Sequence, residues 1–281
     1  MKGAFTALLA VAAAMAPAPA MAKPQRIMSM NMCNDLILLM LVPRERIASI
    51  TWLAHDAVNE VMPGADKGVP TNRGTAEEIL LQKPDLILTS PWSTAMARKL
   101  GKQVGAPMLE VDAANDFDSI RRVVRQIGTA VGENARAEVL IRQMDADLAA
   151  LAARRSARPL RVVAWGGDGS VPGHGTLTDA IITAAGAVNI GAKRQDGGSS
   201  SFGMEELLAA RPDAIMQGVG GYDQPSLREN KARHPLIDRL FAGRQVNYPD
   251  AAYACGIPQS ARSARQLADA FAKVPRAGAR W

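Results

Sequence analysis

The chain contains few cysteines and few aromatic residues. Only Cys33 and Cys255 occur among its 281 residues, which excludes a disulfide-dense scaffold, so packing must supply most of the stability. Aromatic residues make up 4% of the sequence and are not interleaved with clusters of Lys and Arg. The net charge of +6 is spread without a long basic run. These features argue against a nucleic-acid partner, which would favour a basic surface with stacking aromatic rings.

Long hydrophobic runs are also missing. A membrane-spanning helix needs about 20 apolar residues, and the longest candidate, within MKGAFTALLAVAAAMAPAPAMA at residues 1–22, is interrupted by Pro17 and Pro19. One Lys near the start and small residues up to Ala22 are typical of an export signal. We expect a signal peptide at residues 1–22 that is cleaved near Ala22, so that the mature protein is exported. The alternative is an uncleaved amphipathic N-terminus.

The rest of the chain alternates short apolar runs with helical patterns, which predicts an α/β fold with buried parallel strands. The strands are expected at 26–30, 46–50, 85–90 and 107–111, and then at 161–165, 213–218 and 244–249. Helices are expected near 176–186, 203–210 and 259–273.

A long helix is expected between the two sets of strands. Residues 133–159 have apolar positions at helical spacing and no Gly or Pro before Pro159, which predicts a helix of about 23 residues. The predicted organisation is an N-terminal lobe at 23–132, a linking helix at 133–157, a C-terminal lobe at 158–273 and a tail at 274–281. Because such a helix is stiffer than a Gly- or Pro-rich linker, we expect the lobes to move little.

The two lobes share a repeated segment. AEEILLQKPDLIL at 76–88 and MEELLAARPDAIM at 204–216 follow the same pattern of two acids, an apolar helix, a Pro-Asp turn and an apolar strand. Chance similarity is the alternative, but agreement over the whole segment favours a duplicated lobe.

Motifs of catalysis are mostly missing. The Gly-rich stretch WGGDGSVPGHG at 165–175 has neither a Gly-Lys-Ser/Thr ending nor the third glycine of a dinucleotide site. No G-x-S-x-G motif occurs, and His55, His174 and His234 do not have the HExxH spacing. The stretch is expected to be a loop at a cleft with His174 at its tip, or a plain surface turn.

Several segments together resemble a known family. SMNMCND, NRGTAEEILLQKPDLIL, GHGTLTDAIITAAGAVNI, MEELLAARPDAIM and YACGIPQSARSARQLADAF are similar to segments of the periplasmic binding proteins of ABC importers for iron-siderophores, haem and cobalamin, over nearly all of residues 25–273. The resemblance implies two Rossmann-like lobes with parallel sheets, joined by a single long helix, and a ligand in the cleft between them. It implies a monomeric, non-catalytic carrier that delivers its ligand to an inner-membrane ABC permease.

The ligand implied by the resemblance is a metal chelate, so no cofactor or metal of the protein's own is expected. Cobalamin and a ferric siderophore are the leading candidates, and haem ranks third because no Tyr/His pair is placed like a haem ligand set. The competing hypothesis is a periplasmic metal-dependent hydrolase or chelatase that uses His174, Asp168 and the two thiols.

By position, the resemblance assigns ligand contacts to loops that follow the strands. Trp and Tyr faces suit a flat chelate and Arg73 could pair with a carboxylate or phenolate, whereas the alternative is that several aromatic residues fill the lobe cores. The assigned residues are Asn31, Cys33, Trp52, Asn72, Arg73, Trp92, Trp165, His174, Phe202, Tyr253 and Cys255.

Permease docking is assigned by the resemblance to one acidic residue on each lobe, Glu77 and Glu205. The alternative is that these acids only stabilise the first turns of their helices.

Three interpretations of the two cysteines stay open. They could form a disulfide, which an exported protein permits, although a bond across the cleft would hinder the ligand. They could be thiols that touch or coordinate a metal-bearing ligand, or small buried hydrophobic residues.

Overall fold

The computed structural model describes residues 22–91, 99, 103, 105–166, 169–193, 198–219, 234–249 and 251–275. Trp92, Asp168 and residues 1–21, which carry the expected signal peptide, lie outside the described residues. Within the described ranges, none of the helices has both the length and the apolar character of a membrane span.

The N-terminal lobe is built on a five-stranded parallel sheet in the order β3-β2-β1-β4-β5. β1 lies at the centre and is buried at all three of its residues, as expected for a strand covered on both faces. The strands are β1 (Ile27–Ser29), β2 (Ile47–Thr51), β3 (Thr71–Asn72), β4 (Leu86–Thr89) and β5 (Met108–Glu110).

Four helices of this lobe are described: α1 (Met32–Leu41), α2 (Ala54–Val61), α3 (Ala76–Gln82) and α4 (Phe117–Val131). Capping side chains fix the starts of α1, α3 and α4. Asn31 accepts hydrogen bonds from the backbone of Cys33 and Asn34 at the start of α1, and Asp116 caps α4, which ends at Gly132 with a left-handed φ of 73°.

The predicted linking helix is present as α5 (Asn134–Ala153), 20 residues long and therefore about 30 Å from end to end. It ends four residues before the predicted boundary at 157. Ala137, Ile141 and Met144 form its buried stripe, and Gly128 of α4 lets the Ala137 side chain approach closely. The ion pairs Arg121–Asp145 and Arg125–Glu138 also join α4 to α5.

The C-terminal lobe contains a four-stranded parallel sheet in the order β11-β10-β6-β8 and a two-stranded antiparallel sheet of β7 and β9. Its strands are β6 (Arg161–Ala164), β7 (Ser170–Pro172), β8 (Val188–Asn189), β9 (Ser199–Ser201), β10 (Ala214–Val219) and β11 (Gln245–Pro249). Its described helices are α6 (Leu177–Ala184), α7 (Met204–Ala210), α8 (Pro235–Leu240), α9 (Ala251–Ala254) and α10 (Ser260–Phe271).

The two lobes share the same local construction around the repeated segment. Asp85 and Asp213 occupy the same position after α3 and α7, and each accepts a hydrogen bond from the backbone N–H of the arginine at the start of a neighbouring strand. Lys83 and Arg211 both end their helices with a left-handed φ, of 45° and 46°. The duplication predicted from the sequence is therefore visible in matching turns and strand contacts.

The lobes are connected by more than α5. Cys33 at the start of α1 forms a disulfide with Cys255, with Cα atoms 5.1 Å apart. Next to it, a Cβ added at Gly256 would lie 2.2 Å from the carbonyl oxygen of Ala114, so the C-terminal segment packs tightly on the N-terminal lobe. Helix α9 also packs against α2, and α10 against α5.

The disulfide decides among the three interpretations of the cysteines. Because both sulfur atoms are bonded to each other, neither is a thiol that could coordinate a metal-bearing ligand. The interpretations of Cys33 and Cys255 as metal-coordinating thiols and as unbonded, small buried hydrophobic residues are therefore wrong. Cys255 is fully buried, so its assigned ligand contact is also corrected, whereas a ligand contact of Cys33, which lines a cavity, stays a prediction.

Candidate functional site

Two exposed side chains meet where β2 and β3 end. Because these strands are parallel neighbours, Trp52 and Arg73, which follow them, emerge at the same edge of the sheet. The Arg73 guanidinium lies over the Trp52 ring, 5.1 Å from its centre. Trp52 is 51% exposed and the adjacent Leu53 is 42% exposed. We call Trp52, Leu53 and Arg73 the rim platform; it offers an aromatic face, an apolar side chain and a cation to solvent.

Asp35 of α1 holds the backbone next to Trp52. Its Oδ2 accepts hydrogen bonds from both the backbone N–H of Thr51, at 3.0 Å, and the Thr51 hydroxyl, at 2.5 Å. Asp35 is completely buried, and its Oδ1 has no partner among the described residues. Burial raises the pKa of this carboxyl to about 7, although the nearby Ser29 hydroxyl and the hydrogen bonds from Thr51 partly offset the effect of burial.

The loop that carries Arg73 is held by two side chains. The Glu78 carboxylate accepts hydrogen bonds from the backbone N–H groups of Arg73 and Thr75, both at 2.9 Å. The Asn72 amide donates to Ser29 O and Ser49 Oγ, and its oxygen accepts from Gly74. The Arg73 backbone is therefore fixed, while its side chain is free to extend over Trp52.

A small cavity with both polar and apolar lining lies beside the disulfide at the same edge of the sheet. Its volume is about 170 Å³, which is smaller than the pockets of roughly 300 to 1,000 Å³ that enclose drug-sized ligands. It is therefore too small to enclose a large ligand. Its polar lining comes from Asn31, Asn34, Ser90, Asp112 and Asn115.

Four residues assigned to ligand contact are buried instead. Trp165 and Phe202 belong to one core cluster of the C-terminal lobe, and the Trp165 indole donates to the carbonyl of Phe202 at 3.1 Å. Tyr253 is buried with its ring 4.3 Å from that of Tyr248. Asn72 is buried with its amide engaged as described above. Because their side chains are packed against the protein, these four assignments are corrected to structural roles.

The remaining assigned residues differ in how accessible they are. His174 has a 78% exposed side chain, and its Nδ1 lies 3.6 Å from Asp179 Oδ2, too far for a hydrogen bond. Asn31 uses its side-chain oxygen to cap α1 and donates to Ser90 Oγ at 3.3 Å, but it still lines the cavity beside the disulfide.

Glu77 and Glu205 occupy equivalent exposed positions in the first turns of α3 and α7. In each helix the next residue, Glu78 or Glu206, has the capping role and accepts from a backbone N–H at the helix start. The capping explanation therefore applies to the second acid of each pair and leaves Glu77 and Glu205 without that role.

Some residues of this region were not identified from the sequence. Leu53, Asp112 and Asn115 escaped notice, although Asp112 and Asn115 follow β5 directly and the rule that ligands meet strand ends could have indicated them. Asp35 had no such signal, because its position inside an apolar helix gives no indication of its bond to Thr51.

The described residues contain no group of three His, Cys, Asp or Glu side chains that could hold a metal ion. The disulfide also removes the two thiols on which the metal-dependent enzyme hypothesis relied.

Comparisons with known proteins agree with this architecture. An ABC transporter substrate-binding lipoprotein of uncharacterised function, YvrC of Bacillus subtilis, is 27% identical over 129 residues, which cover 45% of this chain and 40% of YvrC. The chain therefore matches less than half the length of this curated relative.

Among solved structures, the periplasmic heme-binding protein RhuT from Roseiflexus sp. RS-1 superposes with a TM-score of 0.72 at 24% identity, covering 88% of this chain and 97% of RhuT. The vitamin B12 binding protein BtuF of Vibrio cholerae superposes with a TM-score of 0.65 at 17% identity, covering 89% and 97%. At these identities the two structures show a shared fold.

The sequence profile described as "Periplasmic binding protein" matches residues 27–244, which is most of the chain. The chain belongs to the periplasmic binding protein family, a family of solute-binding proteins of ABC transporters rather than enzymes.

Proposed function

We propose that this protein captures a metal chelate in the periplasm and delivers it to an inner-membrane ABC permease. The rim platform is the observation that carries the proposal. A soluble protein gains nothing in its own folding from leaving an indole and a leucine in water, whereas the same surface can stack on a large flat ligand. The cation of Arg73 beside the ring adds attraction for an anionic group.

The chemistry of the rim platform favours cobalamin or a ferric siderophore as the ligand. Both are large and combine apolar faces with polar or anionic groups. RhuT and BtuF, whose folds match, are named for haem and for vitamin B12, so this fold accommodates flat macrocycles. The small cavity beside the disulfide would accept one polar substituent of the chelate.

Haem remains the third candidate. Of the two tyrosines within the described residues, Tyr253 is buried against Tyr248, and burial raises the pKa of its phenol far above the usual range, so Tyr253 is unsuited to coordinate iron as a phenolate. His55, His174 and His234 are all exposed, but His55 is already paired with Asp66 at 2.7 Å, and His234 accepts a hydrogen bond from the backbone N–H of Leu236 at 3.2 Å.

A titration of tryptophan fluorescence tests this proposal. Cyanocobalamin, a ferric catecholate chelate, ferric citrate and haemin are added separately to the purified mature protein, with correction for their absorbance. We expect saturable quenching by one of them, because Trp52 is exposed at the proposed contact. No saturable response to any chelate, or a stoichiometric zinc ion in the purified protein, would contradict the proposal.

We further propose that Glu77 and Glu205 dock the loaded protein on the permease. Both side chains are exposed, sit on equivalent helices of the two lobes, and would pair with arginines of the membrane protein. The double substitution Glu77→Arg and Glu205→Arg is expected to abolish uptake of the labelled chelate into cells while its affinity for the protein is unchanged. The matched control Glu45→Arg reverses an exposed acid elsewhere in the N-terminal lobe and should leave uptake intact. Normal uptake by the double variant would refute this docking role.

Export is proposed to remove residues 1–22. The mass of the protein recovered from the periplasm should correspond to a chain that begins at Lys23. A periplasmic protein that retains Met1 would show that the leader is not cleaved.

A further inference from the structure

Helix α3 presents an apolar pair next to Glu77. Leu80 is 52% exposed and Leu81 is 80% exposed. They lie three and four positions after Glu77, so all three side chains share one face of the helix. Ile79, on the opposite face, is fully buried. We call Glu77, Leu80 and Leu81 the α3 face.

The duplicated lobe supplies an internal comparison for this face. Helix α7 has the same length, the same acid at Glu205 and the same left-handed ending. However, Leu208 is partly buried against the core of its own lobe, and the counterpart of Leu81 is the small residue Ala209. The two helices therefore offer the same charge to a partner but differ in apolar surface.

Single exposed leucines are common on protein surfaces. Two adjacent ones beside an exposed acid resemble the composition of an interface, in which an apolar centre is bordered by charge. Folding does not account for the difference from α7, because Ile79 and its counterpart Leu207 are both fully buried and anchor the two helices in the same way.

We propose that the α3 face binds an apolar patch of the importer's permease, next to the cation that pairs with Glu77, so that the N-terminal lobe provides more of the docking affinity than the C-terminal lobe. This inference rests on the proposed function, and it identifies the chemistry of the partner surface as an arginine or lysine bordered by apolar side chains.

Charge favours the permease over two other occupants. A second copy of this chain in a two-fold symmetric contact would place Glu77 near its own copy, and like charges repel. An anionic lipid surface would also repel Glu77. A membrane protein with a cation beside an apolar patch satisfies all three side chains at once.

The binding experiment uses nanodiscs that contain the permease whose ATPase activity the wild-type chain stimulates. The affinity of the loaded protein for these nanodiscs is measured for the wild type, Glu77→Arg, Leu81→Asp, Leu81→Ala, Ala209→Asp and Ala209→Leu. We expect Leu81→Asp to weaken binding by about tenfold or more, as a central interface position does, and Leu81→Ala to weaken it less. Ala209→Asp should change it less than Leu81→Asp, and Ala209→Leu should strengthen it.

Chelate affinity and the thermal unfolding midpoint are measured for each variant, and both should match the wild type because these side chains are exposed. If the Leu81 variants bind like the wild type while Glu77→Arg does not, the inference is overturned and the carrier function stands. If the wild type stimulates no permease, the proposed function itself fails, and the inference fails with it.

Two further results would assign the α3 face to another occupant and overturn the inference. One is equal, Leu81-dependent binding to nanodiscs that contain lipid alone. The other is a dimer in sedimentation experiments that Leu81→Asp dissociates.

Discussion

Asp35 shows how a single buried carboxyl can position a binding surface at a cost in stability. It receives both hydrogen bonds of Thr51 and so holds the strand end from which Trp52 projects. In its ionised form, the side chain is a buried charge with one oxygen lacking a partner among the described residues, which is unfavourable. The protonated form is therefore preferred in the folded protein up to about pH 7.

Because the folded protein prefers the protonated Asp35 carboxyl, its free energy of unfolding depends on pH. Because the pKa is raised from 3.8 to about 7 on folding, the stabilising contribution of the neutral form is fully present below pH 4 and is lost as the pH rises through 7. Asp35→Asn keeps an oxygen for Thr51 and stays neutral, so it should be more stable than the wild type at pH 8, by up to about 4 kcal/mol. Urea unfolding at pH 4 and pH 8 checks this difference. An equal change with pH in both proteins would contradict the role of Asp35.

The rim platform gives the second prediction at this scale. Arg73→Ala and Trp52→Ala should each weaken chelate binding by roughly tenfold or more, because each removes a large contact from the centre of the proposed site. His174→Ala changes an exposed side chain of the C-terminal lobe and tests whether this assigned residue also contributes to binding. Calorimetric titration with the chelate identified by fluorescence measures these affinities. Wild-type affinity in both platform variants would remove Trp52 and Arg73 from the site.

Among the elements, the C-terminal segment that contains Cys255 joins the two lobes at several points. It leaves β11, packs α9 on α2, places Gly256 against Ala114 and is bonded to α1 through Cys33. The sequence alone left the state of the cysteines open, because their distance depends on the path of this segment and not on any local pattern.

The disulfide closes a loop between residues 222 positions apart, and the loop-entropy relation gives a stabilisation of about 5 kcal/mol. The double variant Cys33→Ser and Cys255→Ser should therefore have a lower free energy of unfolding in urea by several kcal/mol, and the wild type should lose the same amount on reduction. The unreduced wild type should be about 2 Da lighter than its reduced form. A reducing agent that changes neither mass nor stability would show that the bond is absent.

At the scale of the whole molecule, the alternation of apolar runs predicted the fold correctly. Each predicted strand, and each of the three helices predicted at 176–186, 203–210 and 259–273, lies within two residues of its observed bounds. The strands were found because buried parallel strands leave a clear apolar pattern. Short strands such as β3 and β8, with two residues each, carry no such pattern and were missed.

The site was harder to predict than the fold. Trp52 and Trp165 both follow a strand directly, yet Trp52 is exposed and Trp165 is buried with its N–H bonded to Phe202. A residue that directly follows a strand is known to lie at the carboxyl edge of the sheet. Whether it turns to the cleft or to the core depends on packing between elements distant in sequence, which local patterns do not encode.

The central claim is that one metal chelate is held between two lobes without being altered. Isothermal titration calorimetry of the mature protein with each chelate, followed by mass analysis of the recovered ligand, tests it most directly. The predicted result is saturation at one chelate per chain with the ligand recovered unchanged. Heat from continuing turnover, a chemically altered ligand, or the absence of binding by every chelate would contradict it.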